Sequence, residues 1–589
     1  MVTRTKIVCT MGPAVNSYEK IIDLIEAGMN VARINFSHGT HADHLQTINL
    51  LKKARVDLGV PLAIMLDTKG PEIRIGNVPS EGIPLKAGQR ILLVKDPVVG
   101  NEDRVQITPS QIFDSIEIGT QILIDDGYIV SKVIAKDEAG VLIEVANACV
   151  LKNHKGVNIP NAAIDLPAMT EQDIEDIAFG CAQDVDIIAA SFIRSEEHVI
   201  EIKRLLVAKG RPDILVIAKI ENPQGVDHFD AIAQVADGIM VARGDLGVEM
   251  PLEEVPSLQK MMIRQCHFYS RPVVTATQML ESMITNPRPT RAEVSDVANA
   301  IYDGTSAVML SGETAVGRYP VETVRIMKSI ICEAERHFDY KSFFVTDKNK
   351  SLSDISSAVA YAALNAAYTS YAKAIFAYTN SGFTARLLSK FRPEIPVLAL
   401  TNSCKVYHQM SLLWGVTPVE PDFCNNVTEA FNKVSSFAMR QAIVAYGDLV
   451  VITSGSPFGI SGSTNTVTVS SIGDVLVRGR PGFGQTVHGR VATLFGTDQN
   501  SIDHARNKIV VMSKCSEQFF SALKHVIGIV LQNTTTDAKS EKSAIEIGKS
   551  LGIPVITRAQ GALNLLKEGT LVTIDPEKGI VYNGAPPVE

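Results

Sequence analysis

Between Thr5 and about Ala315 the chain repeats one pattern of apolar and polar positions: a short apolar run, a polar or glycine-containing exit, then a segment of helical character. The runs are Lys6–Thr10, Val31–Phe36, Leu62–Asp67, Ile187–Phe192, Leu215–Glu221, Ile239–Asp245, Val273–Gln278 and Ala307–Ser311. Apolar runs of this length suit strands buried on both faces. Neighbours start roughly one βα unit apart, so eight of them predict an α/β fold, a TIM (β/α)8 barrel. The one wide gap, after the third run, is patterned as short strands: QRILLVKD, GTQILIDDG, YIVSKVIA and GVLIEVANACV, with Asp126-Gly127 and Ala139-Gly140 as turn signals. A small β-barrel domain is expected here, residues 70–166, inserted at the mouth of the main barrel (1–69 and 167–345). Its tethers, Gly70-Pro71 and the region Pro160 to Pro167, make it a lid that closes over the site; a passive insertion is the alternative.

Thr290 and Glu293 have the S/T-x-x-E spacing of a capping box and fix a helix start. From about Leu352 two alanine-rich segments surround AIFAYTNSGFTARLLSKFRPEIPVLALT, a second α/β domain over 346–472. Within it Thr379, Asn380, Ser381, Gly382, Phe383 and Thr384 lie between a strand and a helix, so hydroxyls and N–H groups converge on an anion site; an ordinary helix cap is the alternative. A hydroxyl-rich loop, Ser454 to Asn465, is placed to close on the same anion. From about Gly473 a fourth, carboxyl-terminal βα domain runs to 589.

In a TIM barrel the chemistry sits at the carboxyl ends of the strands. Those ends carry Arg33 with Asn35 and Ser37, Asp67 with Thr68, Lys219 with Glu221, Arg243 with Asp245, Thr277 with Gln278, and Ser311 with Glu313. Residues i and i+2 of a strand share a face, so Lys219 and Glu221 project together, and so do Arg243 and Asp245, giving four charges on one surface. Buried charges need compensation, and a site for phosphate and metal supplies it. The bland alternative is two ion pairs that only brace the barrel, although buried pairs are at best weak stabilisers.

Composition narrows the function. The 56 basic and 64 acidic residues, net −8, offer no electrostatic footprint for nucleic acid. The start MVTRTKIVCTMG enters a strand-like run at once, and no apolar run reaches the roughly 20 residues of a spanning helix. A soluble, cytoplasmic protein without membrane contact is expected. The eight cysteines contain no CxxC pair, which fits neither a zinc site nor a disulfide framework.

The stretches TKIVCTMGPA, NVARINFSHGTH, LDTKGPEIRIG, IAKIENPQG, IMVARGDLGVE, TATQMLESMITNPRPTRAEVSDVANAIYDG and VMLSGETAVGRYP resemble, in the same order, the pyruvate kinase family. The resemblance implies phosphoryl transfer from phosphoenolpyruvate to ADP, giving pyruvate and ATP, as the last step of glycolysis. It makes Glu221 and Asp245 the ligands of Mg²⁺, and Lys219 the charge beside the phosphoryl group. The backbone of Gly244 and Asp245, at a helix amino terminus, and the hydroxyl of Thr277 would receive the substrate carboxylate. Asn35, Ser37, Asp67 and the Thr68 carbonyl match the K⁺ site, with Arg33 between it and the phosphates. Glu72, in the GPEIR motif, goes with K⁺ dependence. Asn35, His38, Arg74 and the lid's Lys155 match nucleotide-binding positions, and Thr379 to Thr384 match the site of a phosphorylated allosteric effector. A homotetramer is also implied.

Residues 473–589 resemble the extra domain of some bacterial members, itself similar to the swivelling phosphohistidine domain of phosphoenolpyruvate-using enzymes. There a T-S-H motif precedes LGIPV; here Glu541-Lys542-Ser543 precedes Leu551-Gly552-Ile553-Pro554-Val555, so the histidine is absent. A packing or assembly role is expected. Two alternatives remain open: a phosphotransferase of the pyruvate-phosphate dikinase type, and a non-catalytic sugar-phosphate sensor. The missing histidine argues against the first, and the intact Lys219, Glu221, Asp245 and Thr277 against the second.

Overall fold

The structure is a computed structural model and describes residues 3–160, 162, 166–347, 354–456 and 464–584. The chain forms two compact units, Met1–Leu364 with Phe376–Ala430 and Thr453–Val467, and Asn365–Ile375 with Phe431–Ile452 and Thr468–Glu589.

In the first unit, eight parallel strands close into a barrel: Lys6–Thr10, Val31–Asn35, Ala63–Asp67, Ile187–Ala190, Leu215–Ile220, Gly238–Ala242, Val273–Ala276 and Ala307–Leu310. Alternation along them sorts residues into two cores. Ile7, Cys9, Ala32, Ile34, Ile64, Leu66, Val216 and Ala218 pack outward against the helices. Val8, Val31, Met65, Ala189, Ile217, Met240, Val274 and Met309 fill the interior, as expected for a packed barrel. Helices begin where the sequence caps them. Thr290 Oγ1 accepts from Glu293 N at 3.2 Å and Glu293 returns the bond to Thr290 N at 2.7 Å, a device worth about 0.5–2 kcal/mol.

The amino end of the barrel is closed by the segment 405–416. Leu412 joins the interior core. Gln409 donates to Asp186 O and Asp213 O (3.0 and 2.7 Å), Lys405 to Val185 O (2.7 Å), and Lys6 Nζ reaches Val416 O (2.8 Å).

The inserted domain is a seven-stranded sheet with a separate two-stranded ribbon, around Ile75, Ile91, Leu93, Val105, Ile107, Phe113, Ile122 and Val141. The outermost strands of the sheet, Arg74–Ile75 and Val157–Asn158, are tied through the Arg74–Gly156 bridge and the Val157 N to Ile73 O bond of 2.8 Å. These bonds link the two edges of the seven-stranded sheet to each other.

After the barrel, the strand Ala374–Tyr378 leads to the helix Phe383–Lys390, and Val397–Leu400 pairs in parallel with Val416–Val419. In the second unit an eight-stranded sheet holds a parallel core, Val487–Thr493, Ile509–Met512, Gly528–Leu531 and Val555–Thr557. Among the described residues no helix is long and apolar enough to cross a membrane. All eight cysteines are free thiols.

Candidate active site

The alternation that fills the barrel with apolar side chains continues one step further at its carboxyl end, where it meets polar residues. Above Val8, Val31, Met65, Ala189 and Ile217 come Thr10, Arg33, Asp67, Ser191 and Lys219, each two residues on and therefore facing inward. They form a connected ring. Arg33 Nε donates to Asp67 Oδ2 (2.5 Å) and its Nη1 to Thr10 Oγ1 (3.0 Å). Lys219 Nζ donates to Ser191 Oγ (2.7 Å) and Asp67 Oδ1 (3.1 Å) and lies 3.0 Å from Glu221 Oε1. Burial alone would pull the Lys219 ammonium down, but Asp67 and Glu221 hold it well above lysine's ordinary value. Asp67 is fully buried; its carboxyl is opposed by that burial and still held below the ordinary range by Arg33 and Lys219.

Ser191 is the residue that the sequence reading missed. Its hydroxyl accepts from Lys219 and donates to the Thr68 carbonyl at 2.6 Å. The next residue, Phe192, has a left-handed φ of 55°. In that conformation its N–H meets Glu221 Oε2 at 2.6 Å. The signal was available: Ser191 stands at the same inward parity as Ala189, but an uncharged serine in ASFIR drew no notice.

Asp245 lies against Glu221, and burial with that second carboxylate pushes its pKa up to about 7. Two acids pressed together in a buried site repel unless a proton or a cation intervenes. The expected surface shared by Arg243 and Asp245 is not formed. The sixth strand ends at Ala242 and a helix, Arg243–Glu249, starts immediately. On a helix, residues two apart point about 200° from each other. Arg243 consequently turns outward, to Asp296 Oδ1 (2.7 Å) and the Thr277 carbonyl (2.8 Å), while Asp245 turns in. Three of the four charges, not all four, share the site.

Gly244 N donates to Thr277 Oγ1 at 2.7 Å. A Cβ on Gly244 would lie 3.3 Å from that oxygen, tighter than ordinary contact. Thr277 and Gln278 have φ of 67° and 55°, so the seventh run stops being a strand at Ala276. Asn35 pairs in register with Asp67, and its Oδ1 accepts from Ser37 N at 3.2 Å.

Between the lid and the barrel lies a cavity of about 330 Å³, lined by Glu72, Asn158 and Gly156 on one side and by Phe192, Arg194 and Asp245 on the other. Asn158 Nδ2 bridges the two sides at Glu249 Oε1 (2.7 Å). Of the nucleotide positions, Arg74 pairs with Glu72 and reaches the His154 carbonyl (2.7 Å), and Lys155 pairs with Asp125 (2.7 Å). The backbone joins the two, Ile75 N to Lys155 O (2.9 Å). His38 is exposed, with its backbone N–H on Asn35 O (3.4 Å).

The loop Thr379, Asn380, Ser381, Gly382, Phe383, Thr384 lies apart from this ring. Gly382, at φ 78°, turns the chain into the helix, and Thr384 Oγ1 meets Thr464 Oγ1 at 2.6 Å. Of the loop Ser454 to Asn465, the part 457–463 lies outside the described residues; Ser456 and Asn465, flanking it, exchange two bonds of 2.8 Å.

In the second unit Glu541 is clasped by Arg480 and Arg558, both at 2.8 Å. Ser543 stands nearby on the helix Ala538–Leu551.

Three family models match the chain: pyruvate kinase, barrel domain, over residues 2–324; pyruvate kinase, alpha/beta domain, over 357–470; and PEP-utilising enzyme, mobile domain, over 504–579. Among curated relatives, the pyruvate kinase of Sporosarcina psychrophila is 43% identical over 584 residues, that of Geobacillus stearothermophilus 42% over 596, and that of Bacillus licheniformis 42% over 583. Each alignment spans 99% of both chains.

Proposed function

The chain belongs to the pyruvate kinase family, whose substrates are phosphoenolpyruvate and ADP, and on that premise we propose how its own residues carry the transfer, with Mg²⁺ and K⁺ as cofactors. The observation that carries the reading is the contact of Glu221 with Lys219 on one side and Asp245 on the other.

Phosphoryl transfer requires positioning and charge neutralisation above all. Lys219 is charged and fixed by three oxygens, so it meets the transferred group without reorganising, which is where such electrostatic help is largest. Arg33, locked to Asp67 and Thr10, holds a second positive charge beside it. The backbone N–H groups of Gly244 and Asp245 and the Thr277 hydroxyl receive the substrate carboxylate.

The donor set fits a hard divalent ion. Glu221 and Asp245 are adjacent carboxylates that repel each other. Among the described residues no group of three or more His, Cys, Asp or Glu side chains forms a cage. Mg²⁺ characteristically takes one or two carboxylates and leaves its other positions to water and substrate oxygens. When bound there, it supplies positive charge to those substrate oxygens. Asn35, Ser37, Asp67 and the Thr68 carbonyl offer a neutral-rich oxygen set suited to K⁺.

His38, Arg74, Lys155 and Asn35 form the nucleotide side, over which the lid closes. The Thr379 to Thr384 loop binds a phosphorylated effector, the protein acts as a cytoplasmic homotetramer, and the carboxyl-terminal domain serves packing or assembly.

The test is pyruvate formation from phosphoenolpyruvate and ADP by the native chain beside Lys219→Met. The variant is expected to lose about 10²–10³-fold in kcat, the scale for removing one pre-placed stabilising group. Full activity in a sodium-only buffer would sink the K⁺ assignment alone.

A further inference from the structure

The lid touches the barrel at two places, and each adjoins a residue that holds one of the two acids of the site. Its entry tether, Gly70, lies so close to Ser191 and Phe192 that a Cβ there would come 2.8 Å from Ser191 Cβ and 2.9 Å from the Phe192 ring. Its strand Val157–Asn158 supplies the bond from Asn158 Nδ2 to Glu249 Oε1 at 2.7 Å.

Glu249 ends the helix Arg243–Glu249, whose first turn carries Asp245. Residues four apart on a helix stand one above the other on the same face, so a pull on Glu249 is a pull on the element that aims Asp245. Both side chains line the cavity between lid and barrel, together with Arg194.

Arg194 extends the same link to the other acid. Its Nη1 donates to the Phe192 carbonyl at 3.1 Å, while the Phe192 N–H donates to Glu221 Oε2 at 2.6 Å. A φ of 55° is unusual for a bulky residue and persists only where its surroundings dictate it. Phe192 is therefore held at both of its backbone polar groups, one by Glu221 and one by Arg194. Burial pulls the Arg194 guanidinium below its ordinary value, and Glu249, then Glu221, oppose that pull. Burial pushes the Glu249 carboxyl up, against the bond from Asn158 and the charge of Arg194. The lid's amide and the barrel's guanidinium thus stabilise the same carboxylate.

We propose that Asn158, Glu249 and Arg194 are positioning residues through which the seat of the lid sets the aim of Asp245 and Glu221, so that a divalent ion is held most tightly when the lid is docked. Partners of this kind, one step out from the ligands, orient them and tune the affinity of the site. The inference rests on the reading of Asp245 and Glu221 as metal ligands.

Long-range electrostatics and positioning predict opposite signs here. A negative charge added near a cation site, or a positive one removed, strengthens binding through the field alone, whereas a broken link to Glu249 or Phe192 weakens it. Binding of Mn²⁺, a stand-in for Mg²⁺, to the full-length protein is read from the electron paramagnetic resonance of the free ion, which needs no turnover. The stoichiometry from the same titration counts folded sites and separates a folding defect from a change in affinity. Asn158→Asp sets two carboxylates face to face and should weaken Mn²⁺ binding about tenfold in spite of its added charge. Arg194→Met should weaken it too. Combining Asn158→Asp with Glu249→Gln exchanges amide and carboxylate, restores a donor–acceptor pair at the native net charge, and should recover most of the loss. Binding of native strength in Asp245→Asn would overturn the ligand reading, and this inference with it. If Asp245→Asn loses the ion while Asn158→Asp and Arg194→Met bind it as well as the native chain or better, the inference alone falls, as it does if the exchanged pair binds no better than Asn158→Asp.

Discussion

Two clusters of buried or half-buried opposite charges, one in the carboxyl-terminal unit and one at the mouth of the barrel, resolve differently. In the carboxyl-terminal unit, Glu541 sits between Arg480 and Arg558. Burial works against its ionisation, yet the two arginines hold its carboxyl below the ordinary range. At the mouth of the barrel, Glu221 and Asp245 are pressed together and Asp245 is driven the other way. The first cluster is complete in itself, and so reads as architecture. The second is discontented without a cation, and sites kept at such a cost are where function concentrates.

The sharpest way to break this contrast is Asp245→Asn. If the acid pair exists to hold a divalent ion, activity should fall by about 10³-fold or more. The metal-free protein should become more stable by about 1–3 kcal/mol above neutral pH, because a repelling charge is gone. Kinetics and chemical denaturation in chelator read the two effects. A variant that is both active and destabilised would mean that Asp245 is structural.

Next comes Ser191→Ala, which leaves Lys219 one contact short. A loss of about 10-fold in kcat is expected with little change in KM, and Ser191→Thr should restore most of it, since the hydroxyl is what orients the ammonium.

The pH dependence of stability should carry opposite signs in the two clusters. Asp245 has a folded pKa raised to about 7 from 3.8, so its contribution is present below pH 3.8 and is lost as pH rises through about 7. Glu541 has a folded pKa lowered from 4.5; its contribution is present above pH 4.5 and is lost as pH falls below it. Denaturation of the metal-free protein across pH 3 to 8 should therefore flatten on the neutral side in Asp245→Asn and on the acidic side in Glu541→Gln.

The smallest effect belongs to Glu541→Ala. Turnover should be unchanged, and the carboxyl-terminal unit should lose about 1 kcal/mol, the scale of a partly solvated ion network. A large drop in activity would instead tie that unit to the chemistry.

Most of the barrel was legible in the sequence, because every strand is a hydrophobic run that starts within a residue or so of where the pattern places it. The strand ends were less legible. Phe192, Thr277 and Gln278 adopt left-handed backbone conformations, and apolar periodicity has no way to announce a conformation chosen by its hydrogen bonds. The misplacement of Arg243 has a related cause: a two-residue period was carried across Ala242, where the chain had already begun to wind as a helix. Lys219, Glu221, Arg33 and Asp67 were found because charge in an apolar run is conspicuous. Ser191 does comparable work and carries no charge, and only the inward parity of its strand marks it.

The closure of the barrel floor by the segment 405–416 limits how this protein can be cut and recombined. Removing everything after the eighth strand would uncover Val8, Met65, Ile217 and the rest of the interior at once, because Leu412 is their stopper. It would also strip the bonds that Gln409, Lys405 and Val416 make to the starts of the strands. A chimera built from two relatives would inherit a leaking barrel unless the stopper and the strands it seals came from the same parent. The smallest exchangeable piece is therefore larger than the catalytic barrel itself.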